Sequence, residues 1–273
     1  MLVQTLRRLR HGPLKMLEPF WLLLGKLYRQ FIRCIPGLKT KQYVNRYGPF
    51  SLDAKFTFSN FENWGHGHNE GFVSCIEECR GKRCVFDIGA HIGLVTLPMS
   101  QVVAGEVYAF EPATANRNHL QHHLRYNKIT NVKVQSFLVG IDTHSKVEFF
   151  EQPQATGMNS RVLKKNHHLY EKVERDQVSL DDFCLRENIT PDVIKIDVEG
   201  AEYDVLVGAE QTLKNNAPVI YLSIHPKELS LMGQSVDKVI NYLSGLNYFS
   251  YDDNNCRIDT FGFSEYRFAK RES

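Results

Sequence analysis

A chain of 273 residues, 42% hydrophobic and 23% charged, is long enough for one sizeable core plus an appendage. The formal net charge of +2 conceals an asymmetry: residues 1–48 hold ten Lys/Arg against Glu18 alone, leaving 23 basic and 30 acidic residues in the remainder. That distribution argues against a uniformly basic nucleic-acid-binding surface, and no window reaches 18 unbroken apolar residues, so no spanning helix is expected.

Residues 1–35 read as helical, with Leu2, Leu6, Leu9, Leu14, Leu17, Trp21, Leu24 and Leu27 at roughly helical spacing among arginines and lysines. Pro13 and Pro19 divide the segment into two short helices. Two roles stay open for it: an interfacial helix making peripheral membrane contact, or a helix packed on its own domain or on a second copy in a homo-oligomer. The run Pro19–Gly25 is short for a signal-peptide core and no small-residue cleavage site follows, so a cytoplasmic location, with membrane association in the first case, is expected. Six scattered cysteines without a CxxC fit a reducing compartment; Cys75 and Cys79, spaced i,i+4, share a helix face and read as buried thiols.

Residues 36–70 read as loop and short strands, with alternation at 55–59. The stretch Asn63-Trp-Gly-His-Gly-His-Asn-Glu70 is a glycine-flexible loop before a helix over 71–80; His66 and His68 there either touch an acceptor, pair on a metal or are merely solvated. A buried strand ending in Asp87 follows, then a tight turn through Gly89, Ala90 and Gly93, a helix, and a second strand, Val107–Phe110, ending in Glu111 and Pro112. Further elements are a helix over 116–126, a third strand over 131–138, short strands at 147–150 and 177–180 around a polar insert at 156–161, and a fourth strand over 192–197. A helix to about residue 213, a fifth strand over 218–224 ending before His225, a helix over 236–243 and strands at 248–251 and 265–269 close the chain. Strands alternating with helices predict a doubly wound α/β sheet with its ligand at the strands' carboxyl ends.

The stretch 83–112 is the most informative. Glycines let a ligand approach the backbone, and an acid ending the next strand can accept both hydroxyls of a ribose. A dinucleotide site requires G-x-G-x-x-G, whereas here the pattern is Asp87-x-Gly89-Ala90-x-x-Gly93. An acid at that place repels a pyrophosphate but suits the ammonium and sulfonium of S-adenosylmethionine. The other strand ends supply Asp197 with Glu199 and Glu202, and then His225.

With these residues in view, the sequence resembles the FkbM family of S-adenosylmethionine-dependent methyltransferases. The likeness runs from about Val85 to Ser223 and rests on Val85–Gly93, Ala109-Phe-Glu-Pro112, Ser179-Leu-Asp-Asp-Phe183 and, most specifically, Ile194–Ala209. One departure is visible: Ser223-Ile-His225 lacks the acid that often ends the fifth strand. The resemblance implies a Rossmann-like seven-stranded sheet of the class I methyltransferase kind, with a basic helical extension at 1–48 and the catalytic domain at 49–273. It further implies methyl transfer to a hydroxyl, in this family mostly of sugars in glycolipids and polysaccharides or of polyketides. Asp87, Gly89, Ala90, Gly93, Glu111, Pro112 and Ser136 are the expected cofactor residues. Asp197, His225 and Glu199 are the candidate bases, since a sugar hydroxyl is a poor nucleophile until its proton is removed. No metal-ligand set is assigned, although a divalent ion at Asp197 and its neighbours could do the work of a base. An amino methyltransferase, which would end the fourth strand in Asn/Asp-Pro-Pro-aromatic, and a dinucleotide dehydrogenase are both disfavoured; a relative that binds without turnover is the remaining rival.

Overall fold

The computed structural model describes residues 12–33, 35, 37–162, 167–252 and 256–270. The expectations for residues 1–11 lie outside this set. A helix, α1 (Glu18–Arg33), opens the described chain, with Pro19 in its first turn where a missing N–H does no harm. A hairpin of β1 (Lys39–Val44) and β2 (Tyr47–Asp53) follows. The hairpin crosses residue 48, so the boundary drawn there falls inside one structural unit. Residues 55–59 are not a strand: Ala54–Phe56 form a 3-10 turn in which Thr57 N–H bonds back to the Ala54 carbonyl.

The central sheet has seven strands in the order β11-β12-β10-β9-β3-β4-β5, where β3 is Cys84–Ile88, β4 Glu106–Phe110, β5 Val132–Gln135, β9 Val193–Ile196, β10 Val219–Ile224, β11 Tyr248–Ser250 and β12 Ser264–Lys270. All pairings are parallel except those of β12, which runs against both its neighbours. The chain leaves β3 outward through β4 and β5, then returns to lay β9 on the other side of β3. That reversal opens a crevice at the carboxyl ends of β3, β4 and β9.

Alternating side chains of the inner strands fill two cores. Phe86, Ile88, Tyr108, Phe110, Ile194, Ile196, Ile220 and Leu222 face one side, packed against α5 (Leu180–Glu187), α6 (Glu202–Val207), α8 (Pro226–Leu231) and α9 (Val236–Gly245). Val85, Val107, Ala109, Val193 and Tyr221 face the other, under the hairpin, α2 (Phe72–Glu78), α3 (Thr96–Val102) and α4 (Thr114–Tyr126). Burial on both faces explains the near-continuous apolar runs of these strands. Cys75, Cys79 and Cys84 are buried free thiols within this packing.

Three expected elements take another form. The third strand is cut short: β5 ends at Gln135, and the chain crosses to a small second sheet, β6-β8-β7, of β6 (Leu138–Val139), β7 (His144–Glu151) and β8 (Glu171–Val178). Ser179, expected inside a strand, instead caps α5 by accepting the Asp182 N–H at 3.1 Å. The helix expected to run to residue 213 breaks into α6 and α7 (Glu210–Asn216). Asp181 makes the break: its N–H donates to the Gly208 carbonyl at 2.9 Å, and its carboxylate accepts the Gln211 and Thr212 N–H groups at 2.8 Å, the bonds a continuous helix would use.

Candidate active site

The turn after β3 is knotted to the ends of both neighbouring strands. Gly89 has φ +83, and a Cβ there would lie 1.8 Å from the Asp197 carbonyl oxygen. The glycine that the sequence assigns to ligand approach is thus required first by the backbone of the next strand. The N–H groups of Gly89 and Ala90 share the Phe110 carbonyl, each at 3.0 Å. His91, at φ +53, donates its N–H to Glu111 Oε2 at 2.7 Å. Glu111 Oε1 accepts from the Ala113 N–H at 2.9 Å and from Asn116 Nδ2 at 3.3 Å. Burial outweighs these hydrogen bonds and pushes the Glu111 carboxyl up to about 7.

Gly89, Ala90, Glu111 and Pro112 all line one cleft of about 1000 Å³ at the crevice. Three expected cofactor residues do not line it. Asp87 is fully buried beneath the turn, where Oδ2 accepts from Thr96 Oγ1 at 2.6 Å and Oδ1 lies 3.5 Å from the Lys195 ammonium. Strand register explains this, because Asp87 and Lys195 are paired directly across β3 and β9. Gly93, at φ +93, packs under Leu120. Ser136 is exposed just past the end of β5, and Phe137, Leu138 and Val139 line the wall in its place.

Across the cleft, Asp197, Glu199 and His225 converge from the ends of β9 and β10. Glu199 has φ +54, a left-handed conformation that a non-glycine residue adopts at some strain, and Gly200 continues it at φ +109. This reversal aims the Glu199 side chain back into the cleft. Glu202, fully buried at the start of α6, accepts the Gly200 N–H at 3.0 Å and binds His225 Nδ1 at 2.7 Å. That bond leaves His225 Nε2 pointing at Asp197 Oδ1, 3.6 Å away, and at Glu199 Oε1, 3.7 Å away. Burial disfavours a charge on His225, but Glu202 and the nearby Asp197 and Glu199 carboxylates prevail and raise it to about 9. The imidazole is therefore cationic at neutral pH.

Sequence reasoning did not assign roles to Lys195, Asn116 or the orienting carboxylate of Glu202. The lone lysine in the run Val193-Ile-Lys-Ile196 was the available signal for the first, since a charge in a strand buried on both faces needs a counter-charge nearby. From the loop over 63–70, Trp64 and Asn69 reach the cleft, whereas His66 is exposed outside it; the side chain of His68 lies outside the described residues. Asn159 and Arg161 of the insert also face the cleft, Arg161 braced by Asp204 at 2.7 Å.

A glycine turn after the first strand, an acid after the second and a reversal of strand order at the same crevice define a class I methyltransferase fold. The family model described as Methyltransferase FkbM domain matches residues 87–250, more than half of the chain, and the protein belongs to that family. Among solved structures, the FkbM methyltransferase of Methylobacillus flagellatus KT aligns at 19% identity and TM-score 0.46, over 70% of this chain and 44% of that one. The chain thus spans less than half the length of that protein. A ribosomal protein L11 methylase from Lactobacillus delbrueckii subsp. bulgaricus aligns at 12% identity and TM-score 0.45, over 79% of this chain and 81% of that chain. TYW2 of M. jannaschii, in complex with AdoMet, aligns at 15% identity and TM-score 0.39, over 85% and 83%. No curated protein matches the chain.

Proposed function

We propose that the protein transfers a methyl group from S-adenosylmethionine to a hydroxyl oxygen, that of a sugar in a glycan or glycolipid. The observation that carries this reading is the shared cleft: a ribose-type acid, Glu111, on one side and the Asp197–Glu199–His225 group on the other. The cofactor fits the residues present, because the Glu111 carboxylate is held by two backbone N–H groups and Asn116 while still facing the cleft. Bound there, S-adenosylmethionine supplies an electrophilic methyl on a cationic sulfur. Glu111 accepts the ribose hydroxyls, and the Gly89–Ala90 turn leaves the backbone open to the ligand. Asp87 acts from below, holding the turn through Thr96. Positioning of the two reactants is the larger part of the work in an in-line displacement. Activation of the hydroxyl falls to the Asp197–Glu199–His225 group.

A sugar acceptor is favoured by the lining: the Trp64 ring offers a flat apolar face, and Asn69, Asn159 and Arg161 offer fixed hydrogen-bonding groups around it. Presentation of that sugar on a lipid is favoured by α1. Trp21 is buried, and the Tyr28 hydroxyl bonds to the Ala54 carbonyl and Thr57 Oγ1 at 3.2 and 2.8 Å, which docks one side of the helix. Phe20, Leu22, Leu23, Leu27 and Phe31 are each more than half exposed on the remainder. Among the described residues no helix is long and apolar enough to cross a membrane. The apolar side of α1, within a strongly basic segment, suits an anionic membrane surface instead.

Calorimetry with S-adenosylhomocysteine and with NAD, followed by transfer of labelled methyl to glycolipid acceptors, tests the reading. Binding of the former alone and an alkali-stable methyl ether in the product are expected. Binding of NAD, or a methyl ester that alkali removes, would overturn it.

A further inference from the structure

His225 Nε2 stands 3.6 and 3.7 Å from the Asp197 and Glu199 oxygens, beyond hydrogen-bond length. Ligand atoms that share one ion at about 2.1 Å lie roughly 3.0–3.5 Å from each other, close to these separations. All three ligand-type atoms lie within 4.8 Å of one another. His225 is 3% exposed, and Glu202 fixes its Nδ1, so that Nε2 is aimed between the two carboxylates. A carboxylate holding the far nitrogen of an imidazole is the usual support of a metal-binding histidine. The buried Lys195 lies 3.5 Å from Asp87 Oδ1 and 3.4 Å from Asp197 Oδ2, which leaves Asp197 Oδ1 as the oxygen that faces His225.

We propose that Asp197, Glu199 and His225 form a binding site for one divalent cation of the manganese or magnesium type, whose open positions face the cleft and take oxygens of the acceptor. Two hard carboxylate oxygens and one imidazole select such an ion over a thiophilic one. A hydroxyl bound to a dication gives up its proton to water more readily, so the ion supplies the activation that a side-chain base would otherwise provide. An acceptor with two neighbouring hydroxyls, as on a sugar ring, can fill two open positions at once. The assignment of acceptor oxygens rests on the methyl-transfer reading; the binding of the ion does not.

Titration of the full-length protein with Mn2+, followed by the paramagnetic resonance signal of free Mn2+, tests the site, without and then with S-adenosylhomocysteine. One ion per chain is expected, together with enhanced water-proton relaxation from its exchangeable waters. Glu199→Gln and Asp197→Asn, each isosteric and each checked for an intact unfolding transition, should weaken binding at least tenfold. His122→Ala should not: it alters a separate group of ligand-type side chains, Asp53, His119 and His122, which lies between β2 and α4. Absence of Mn2+ binding, or binding that survives both isosteric variants, would overturn the proposal. Mn2+ binding retained by a protein that fails to bind S-adenosylhomocysteine would remove the methyl-transfer reading and leave the ion site standing.

Discussion

In the proposed reading Glu111 serves structure and ligand with a single carboxylate. One oxygen ties down the turn through the His91 N–H, the other is held by Ala113 and Asn116, and the group still faces the cleft. Replacement by alanine should weaken S-adenosylhomocysteine by about 2–3 kcal/mol, the range for charged hydrogen bonds, as calorimetry would measure. The pH dependence follows from the same burial. In the ligand-free protein the carboxyl releases its proton only near pH 7, so it is neutral at pH 5.5 and charged at pH 8.5. Ribose hydroxyls donate more strongly to the charged form, so binding draws the proton off and affinity rises with pH until the free carboxyl is fully ionised. With 5′-methylthioadenosine, which has no titrating amine, the rise should be about tenfold, corresponding to roughly 1–1.5 kcal/mol between a charged and a neutral acceptor. Glu111→Gln should bind it weakly and without that rise.

At the scale of elements, legibility tracked burial. Strands β3, β4, β9 and β10 are apolar on both faces and end in polar residues, so their existence and the placement of Asp197, Glu199 and His225 could be read directly. The second sheet could be read only in part: the strand over 147–150 lies within β7, but β8 (Glu-Lys-Val-Glu-Arg-Asp-Gln-Val) is largely charged, pairs with β7 rather than declaring itself by its own pattern, and has only its last two residues in an expected strand. The support beneath the site could not be read: Lys195 meets Asp87 only through cross-strand register, and Glu202 meets His225 across 23 residues of chain. The break between α6 and α7 is likewise tertiary. Asp181 keeps them apart by taking the bonds that would join them, and Gly208 packs so close that an added Cβ would lie 2.0 Å from the Gly140 carbonyl oxygen. Gly208→Ala should therefore destabilise the fold despite its better propensity, by about 1–3 kcal/mol, seen as a thermal midpoint lowered by roughly 2–10 °C.

The whole molecule is an electrostatic two-piece object, with a basic segment of ten Lys/Arg against Glu18 and a body carrying 23 basic and 30 acidic residues. On the proposed membrane reading, such a molecule would orient on an anionic surface with its first segment inward. Sedimentation with phosphatidylserine-containing vesicles should occur at low salt and decline at high salt, each basic side chain near the surface contributing about 1 kcal/mol. The triple replacement of Leu22, Leu23 and Leu27 by glutamate should abolish it. Because those side chains are more than half exposed, folding and S-adenosylhomocysteine binding should be unchanged. Vesicle binding that persists in this variant, or is absent from the native protein, would leave α1 a packing element only.

Asn116 links the two halves of the cleft. Its Nδ2 donates to Glu111 and, at 2.9 Å, to the Thr156 carbonyl, and its Oδ1 accepts the Thr156 N–H at 3.0 Å. The insert that presents Asn159 and Arg161 is thereby fastened to the carboxylate proposed to receive the ribose. Two substrates served by such a joint should not arrive independently: a nucleoside held by Glu111 is expected to firm the Asn116 bonds to Thr156, and with them the insert that faces the second substrate. Steady-state kinetics should accordingly show a compulsory order, nucleoside first, with S-adenosylhomocysteine competing against S-adenosylmethionine and acting non-competitively against the acceptor. Asn116→Ala should convert that sequence to random addition.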